Sequence, residues 1–139
     1  MSRHHRAATG DLRPPFGRHP EADLQRQIVS LLRVVLPKGA IIHHAANEIT
    51  ESGRQARIRQ AIRTGMGVHA GFSDLVVLSE GRVLFLEVKG PRGRLEPAQV
   101  AFRDSVQAQG FPWALVRSLE DVLAALKAHG FATRLRGFP

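Results

Sequence analysis

Two short apolar runs, Ser73-Asp74-Leu75-Val76-Val77-Leu78 and Val83-Leu84-Phe85-Leu86-Glu87-Val88, flank a link containing Glu80-Gly81. Valine- and leucine-rich runs of this length, broken by a turn signal, read as the two strands of a β-hairpin. Their near-continuous apolarity implies a sheet covered by helices on at least one side and largely buried on the other. With a two-residue turn at Glu80-Gly81, Ser79 faces Arg82, Val76 faces Phe85 and Asp74 faces Glu87. Two carboxylates then share one face with Cβ atoms roughly 5 Å apart. Alternation along the strand brings Lys89 to that face as well.

Like charges so placed repel in an apolar sheet unless a cation lies between them, and a hard divalent metal suits paired oxygen ligands. Two carboxylates and a lysine at a strand end fit metal-assisted phosphodiester hydrolysis, where a cation neutralises phosphate and activates water. Glu-Val-Lys at a strand end is nonetheless common, and Asp74 could simply end an edge strand. These residues alone favour structure over catalysis.

The rest of the chain alternates helix and strand. Pro20 at a first-turn position, with Glu21 and Asp23 at the positive helix end, opens a helix bearing Leu24, Ile28, Leu31, Leu32 and Val35 on one face and stopping at Pro37. Residues 40–45 read as a strand. Residues 50–64 read as a short helix ended by Gly65 and Gly67. Pro97 starts a helix that runs to a C-terminal cap at Gly110, and residues 113–116 form a strand. Ser118 and Asp121 have capping-box spacing ahead of a helix to about His129, and a last strand is expected from Phe131 to Leu135. The order is α-β-(α)-β-β-α-β-α-β, a mixed α/β sandwich with no internal repeat.

The chain has 139 residues and no cysteine, which excludes disulfides, thiolate zinc sites, iron–sulfur clusters and a cysteine nucleophile. No apolar run approaches the roughly 20 residues of a membrane helix, and no signal-peptide pattern follows the first residues, so an intracellular, cytoplasmic setting is expected. Twenty Lys and Arg against 12 Asp and Glu give a formal charge of +8, which points to a polyanionic partner. Arginine outnumbers lysine 17 to 3, a bias that a GC-rich genome also produces. Placement is more telling. Residues 1–18 carry Arg3, Arg6, Arg13 and Arg18 without helical or strand period and read as a flexible basic arm, with one domain over 19–139. Arg54, Arg57, Arg59 and Arg63 form a second cluster, and Lys89, Arg92 and Arg94 a third; these are candidate phosphate contacts.

Histidines add little. His43 and His44 are neighbours on a strand and point to opposite faces, so they cannot share one ion. His69 lies in the glycine-containing approach to Asp74, where it could meet a phosphate. No Gly-x-Ser-x-Gly, P-loop or dinucleotide signature is present.

Asp74 followed by Glu87-Val88-Lys89 after a hairpin, with Glu21 on a preceding helix, resembles the PD-(D/E)xK nuclease superfamily, whose restriction-endonuclease-like fold is a mixed sheet flanked by helices with core order α-β-β-β-α-β. The segments His44-Ala45-Ala46-Asn47-Glu48, Gly67 to Asp74 and Phe85 to Gly90, together with Gln99, resemble the virus-type replication-repair nuclease (VRR-NUC) domain over roughly Pro20 to Val116. The resemblance implies that Asp74, Glu87 and the Val88 carbonyl bind a divalent metal, Mg²⁺ with Mn²⁺ able to substitute. It makes Lys89 the group that positions or activates water, Glu21 a contact through a metal-bound water, and Gln99 a support from the following helix. Asn47 and Glu48 would shape the rim. Ser73 stands where the superfamily usually has proline, a change of rigidity and not of ligand.

The function so implied is a stand-alone, structure-selective DNA endonuclease of phage or bacterial type, acting as a homodimer on four-way junctions. The alternatives are a restriction-type or flap endonuclease, and a non-catalytic nucleic-acid-binding module. A pure binder has no need of Glu21, Asp74, Glu87 and Lys89 together.

Overall fold

Helix α1 (Pro20–Val35) begins with proline in its first turn, and Glu21 and Asp23 there oppose the helix dipole. It ends because Leu36, the residue before Pro37, is extended at φ −82° and ψ 151°. The structure, a computed structural model, describes residues 19–45 and 53–135. Asn47, Glu48 and the basic arm at 1–18 lie outside them.

Strand β1 (Ile41–His44) follows, then helix α2 (Arg54–Gly65). The hairpin comprises β2 (Leu75–Ser79) and β3 (Arg82–Val88), and its turn has Glu80 at φ 49° and Gly81 at φ 81°. Two successive positive φ angles match the right-handed twist of paired strands, which is why a two-residue loop suffices. The observed pairs Ser79–Arg82, Val76–Phe85 and Leu75–Leu86 are the register expected from that turn. Helix α3 (Pro97–Ala108), strand β4 (Trp113–Val116) and helix α4 (Leu119–Ala128) complete the fold. The sheet order is β1-β2-β3-β4, antiparallel except for the β3–β4 pair, whose crossover is α3.

Alternation divides the sheet into two unequal faces. Leu75, Val77, Leu84, Leu86 and Val88 point to a core closed by Ile28 and Leu32 of α1 and by Val122 and Leu126 of α4. On the other face α3 covers only the β3 side, where Phe102 meets Phe85 and Phe72 with ring centroids 5.5 and 4.7 Å apart. Toward β1 that face is open, and the paired Ile41 and Leu78 are exposed. The expectation of a sheet largely buried on both sides therefore holds for β3 and not for the β1–β2 half.

Residues 131–135 do not form the expected last strand. Phe131 is buried and its N–H donates to the Leu126 carbonyl, while Arg134 donates from its backbone to Val35 and from its side chain to Arg33. The segment satisfies carbonyls at the end of α1, which a helix cannot satisfy internally. At α4, Ser118 Oγ accepts from Asp121 N–H at 3.1 Å, but the Asp121 carboxylate returns to Arg117 N–H and not to Ser118. Only half of the expected capping box is made.

Candidate active site

Asp74 immediately precedes β2, and the hairpin register carries it opposite Glu87 near the end of β3. One Asp74 oxygen, Oδ2, accepts the Val88 N–H at 2.8 Å, so the backbone beside Glu87 fixes the aspartate. The Asp74 carbonyl accepts the Ala45 N–H at 3.1 Å and lies 3.0 Å from His44 Nδ1. The same His44 nitrogen is 2.9 Å from Gln25 Nε2. It donates to the carbonyl when it carries the proton and accepts from the amide when it does not.

Glu87 is 1% exposed although it is a carboxylate. Gln99 connects it to α3: Gln99 Oε1 accepts the Glu96 N–H at 2.9 Å, closing the first turn of the helix, and Gln99 Nε2 donates to Glu87 Oε2 at 3.0 Å. One side chain thus uses its acceptor to start α3 and its donor to hold the glutamate. The second oxygen, Oε1, is buried with no hydrogen-bond partner. Burial, first, and then a hydrogen bond and charge repulsion from Asp74 push the Glu87 carboxyl up from 4.5 to about 9, with Glu21 adding repulsion and Lys89 opposing it.

Lys89 is 7% exposed, and its backbone N–H donates to Val116 of β4. Beyond it the chain turns over Gly90 to Gly93, where the Gly90 carbonyl accepts the Gly93 N–H at 3.1 Å and the Arg117 guanidinium at 2.6 Å. A Cβ on Gly93 would come within 2.7 Å of Glu21 Oε2 and about 3.2 Å of Lys89 Cδ, so the bare Gly93 leaves room for these two side chains to sit beside the turn. Gly71 has a comparable role before Asp74. At φ +75° it packs so tightly on α3 that a Cβ would overlap the Ala98 carbonyl. The approach to Asp74 and the helix turn that carries Gln99 are thereby fitted to each other.

The residues fit a hard divalent cation. Two carboxylates converge, one oxygen is buried without a donor, and burial with Asp74 favours the neutral form of Glu87 despite Lys89, a balance that a bound cation would reverse. Among the described residues no three His, Asp or Glu groups come together as a ready-made metal cage.

Of the expected site residues, Asp74, Glu87, Lys89, Gln99 and Glu21 gather at this one end of the sheet. Arg92 and Arg94 lie exposed on or beside the neighbouring turn, whereas Arg54, Arg57, Arg59 and Arg63 are exposed along α2. His69 packs edge-on against Phe102 with ring centroids 5.5 Å apart, and its Nδ1 lies 2.8 Å from the Ala70 carbonyl. The sequence reading missed two supports: His44, considered there only as a metal ligand that could not share an ion with His43, and Arg117, which nothing local in the sequence distinguishes from a surface arginine.

The model of the VRR-NUC domain family matches residues 20–120, which contain the whole of this site. No curated protein matches the chain. A solved VRR_NUC domain protein is similar in fold, with a TM-score of 0.61, 20% identity, and coverage of 81% of this chain and 89% of its own.

Proposed function

The chain belongs to the VRR-NUC domain family, nucleases of the PD-(D/E)xK type, and on that premise we propose that it is a divalent-metal-dependent, structure-selective DNA endonuclease that acts as a homodimer on four-way junctions. The observation that carries this reading is the meeting of Asp74, Glu87 and Lys89 at one strand end, with a buried glutamate oxygen left without a protein donor.

Asp74, Glu87 and the Val88 carbonyl would hold Mg²⁺ or Mn²⁺, and Glu21 would reach it through water. Bound there, the cation would supply Lewis acidity toward the phosphate and ease deprotonation of water. Gln99 keeps Glu87 aimed by donating to its other oxygen. Lys89 presents a positive charge where the phosphate gains negative charge, and it orients the attacking water. Arg92 and Arg94 are placed to take phosphates next to the scissile one, and the arginines of α2 to take phosphates further along. Residues 19–139 would act as one domain, with the basic residues of 1–18 adding nonspecific attraction, and contacts made through phosphates favour reading DNA shape.

Cleavage of matched junction, flap, single-stranded and duplex DNAs with Mg²⁺, Mn²⁺ or chelator tests the reading. We expect junction cleavage that chelator abolishes. Asp74→Ala and Glu87→Ala should each remove it while the fold and junction binding persist. Lys89→Ala should lose most turnover yet keep Mn²⁺ binding by calorimetry. Wild-type turnover in either carboxylate variant sinks the site, and cleavage at one fixed sequence in plain duplex replaces the reading with a restriction-type enzyme.

A further inference from the structure

Helix α2 packs against no other helix or strand among the described residues. Its one buried side chain is Ala56, while Ile58, Ile62 and the C-cap residue Met66 are 42%, 58% and 81% exposed. At about 100° per residue the two isoleucines lie within roughly 40° of each other, and Ala56 is about 140° from their mean direction. The apolar stripe therefore points away from the body of the protein. The same geometry sets Arg54 on one border of the stripe and Arg59 on the other, with Arg57 and Arg63 further round toward the Ala56 side. The helix carries four arginines and no acidic residue, and no Asp or Glu occurs between residues 53 and 73.

An isolated 12-residue helix of this composition is marginal in water, and an exposed apolar stripe needs a surface to cover it. Charge identifies that surface. A second copy of a chain with formal charge +8 would press like charge against the arginine borders of the stripe. A nucleic acid supplies the opposite charge along both borders, and an apolar face between them only where bases are unstacked. Paired duplex hides those faces; a branch point exposes them.

We propose that α2 is the element that recognises branching: Ile58, Ile62 and Met66 pack against unstacked bases at a DNA branch point while Arg54, Arg57, Arg59 and Arg63 hold the flanking phosphates. This rests on the nuclease reading for its substrate but on none of the metal-site residues. Aliphatic wedges of this kind separate base steps in other DNA-bending proteins, with neighbouring cations on the backbone.

The test uses the full chain in chelator, so that binding occurs without cleavage, and a four-way junction with 2-aminopurine either beside the branch point or within an arm. Wild type should raise branch-point fluorescence severalfold and arm fluorescence little. The double variant Ile58→Ser/Ile62→Ser should lose that rise. It should also lose about tenfold in preference for junction over linear duplex of the same composition, with duplex affinity kept. Ile58→Leu/Ile62→Leu should retain both properties. A serine variant equal to wild type in fluorescence and preference overturns the proposal. So does a serine variant whose mass by light scattering falls from dimer to monomer, because the stripe then belongs to a second copy. If wild type binds junction and duplex alike, α2 is no branch reader, and metal-dependent cleavage by the same protein would still uphold the nuclease. An intact branch-point signal with no cleavage in any metal would fail the nuclease reading alone.

Discussion

At the end of β3 a carboxylate is shut away from water, whereas along α2 isoleucine and methionine side chains stand in it. Both regions depart from the usual sorting of side chains, in opposite directions. Glu87 is surrounded: Gln99, Val88 and the Gly90–Gly93 turn are all engaged around the site, and the displaced charge is accommodated by a shift of its proton equilibrium. Helix α2 packs on no other helix or strand among the described residues, so its exposed apolar groups are open to a partner. A buried carboxylate has to be held from several directions, while an exposed apolar stripe can stand on one short helix.

The contrast is testable as stability. The largest effect is expected at Gly71→Ala, which adds a Cβ against the Ala98 carbonyl at a positive φ. A loss of about 3 kcal/mol or more should appear in urea unfolding, with the site damaged because Gln99 shares that helix turn. A loss below about 1 kcal/mol would mean the packing between the Asp74 loop and α3 is looser than described.

Next comes Glu87→Gln in metal-free protein. The folded pKa of Glu87 lies above the unfolded one, so its protonation stabilises the fold fully below about 4.5, and that contribution is lost as pH rises through the window up to about 9. The limiting slope is about 1.4 kcal/mol per pH unit. The amide does not titrate, so the variant should melt higher than wild type near pH 7 to 8, and the difference should shrink toward pH 5. Divalent metal must displace the same proton, and its affinity for wild type should rise with pH through this range, with proton release measurable by calorimetry in two buffers. A variant that melts lower at every pH would show that Glu87 is charged and well paired.

Ser73→Ala removes a fully buried hydroxyl with no partner and should stabilise by about 1 kcal/mol in thermal unfolding. Any loss would reveal a bond that this hydroxyl makes. The smallest effect belongs to α2: Ile62→Ser should change the stability of the domain by less than about 0.5 kcal/mol, because the side chain is more than half exposed and α2 packs on no other helix or strand among the described residues. A drop of 2 kcal/mol would place α2 inside the cooperative core and erase the contrast.

Much of this was legible in the residues. Pro20 and Pro37 bracket α1, and the Glu80-Gly81 turn set the register that opposes Asp74 to Glu87. Gln99 could be named from family resemblance, but its double use as helix cap and glutamate donor could not. The expected strand at 131–135 failed because a short apolar stretch next to a helix end has two ways to satisfy its backbone, and here Phe131 N–H goes to the Leu126 carbonyl and Arg134 N–H to the Val35 carbonyl.

Local pattern alone determined the elements up to the last helix, the hairpin register and the apposition of two carboxylates with a lysine, because side-chain alternation and turn geometry act over a few residues. Tertiary structure decided what surrounds them: His44 on the Asp74 carbonyl, Arg117 on the Gly90 turn, α3 over one half of the outer sheet face, and α2 left bare. Those outcomes depend on which faces of distant segments meet. That meeting is set by the total area buried and by the close approach allowed at Gly71, quantities that no single stretch of the chain contains.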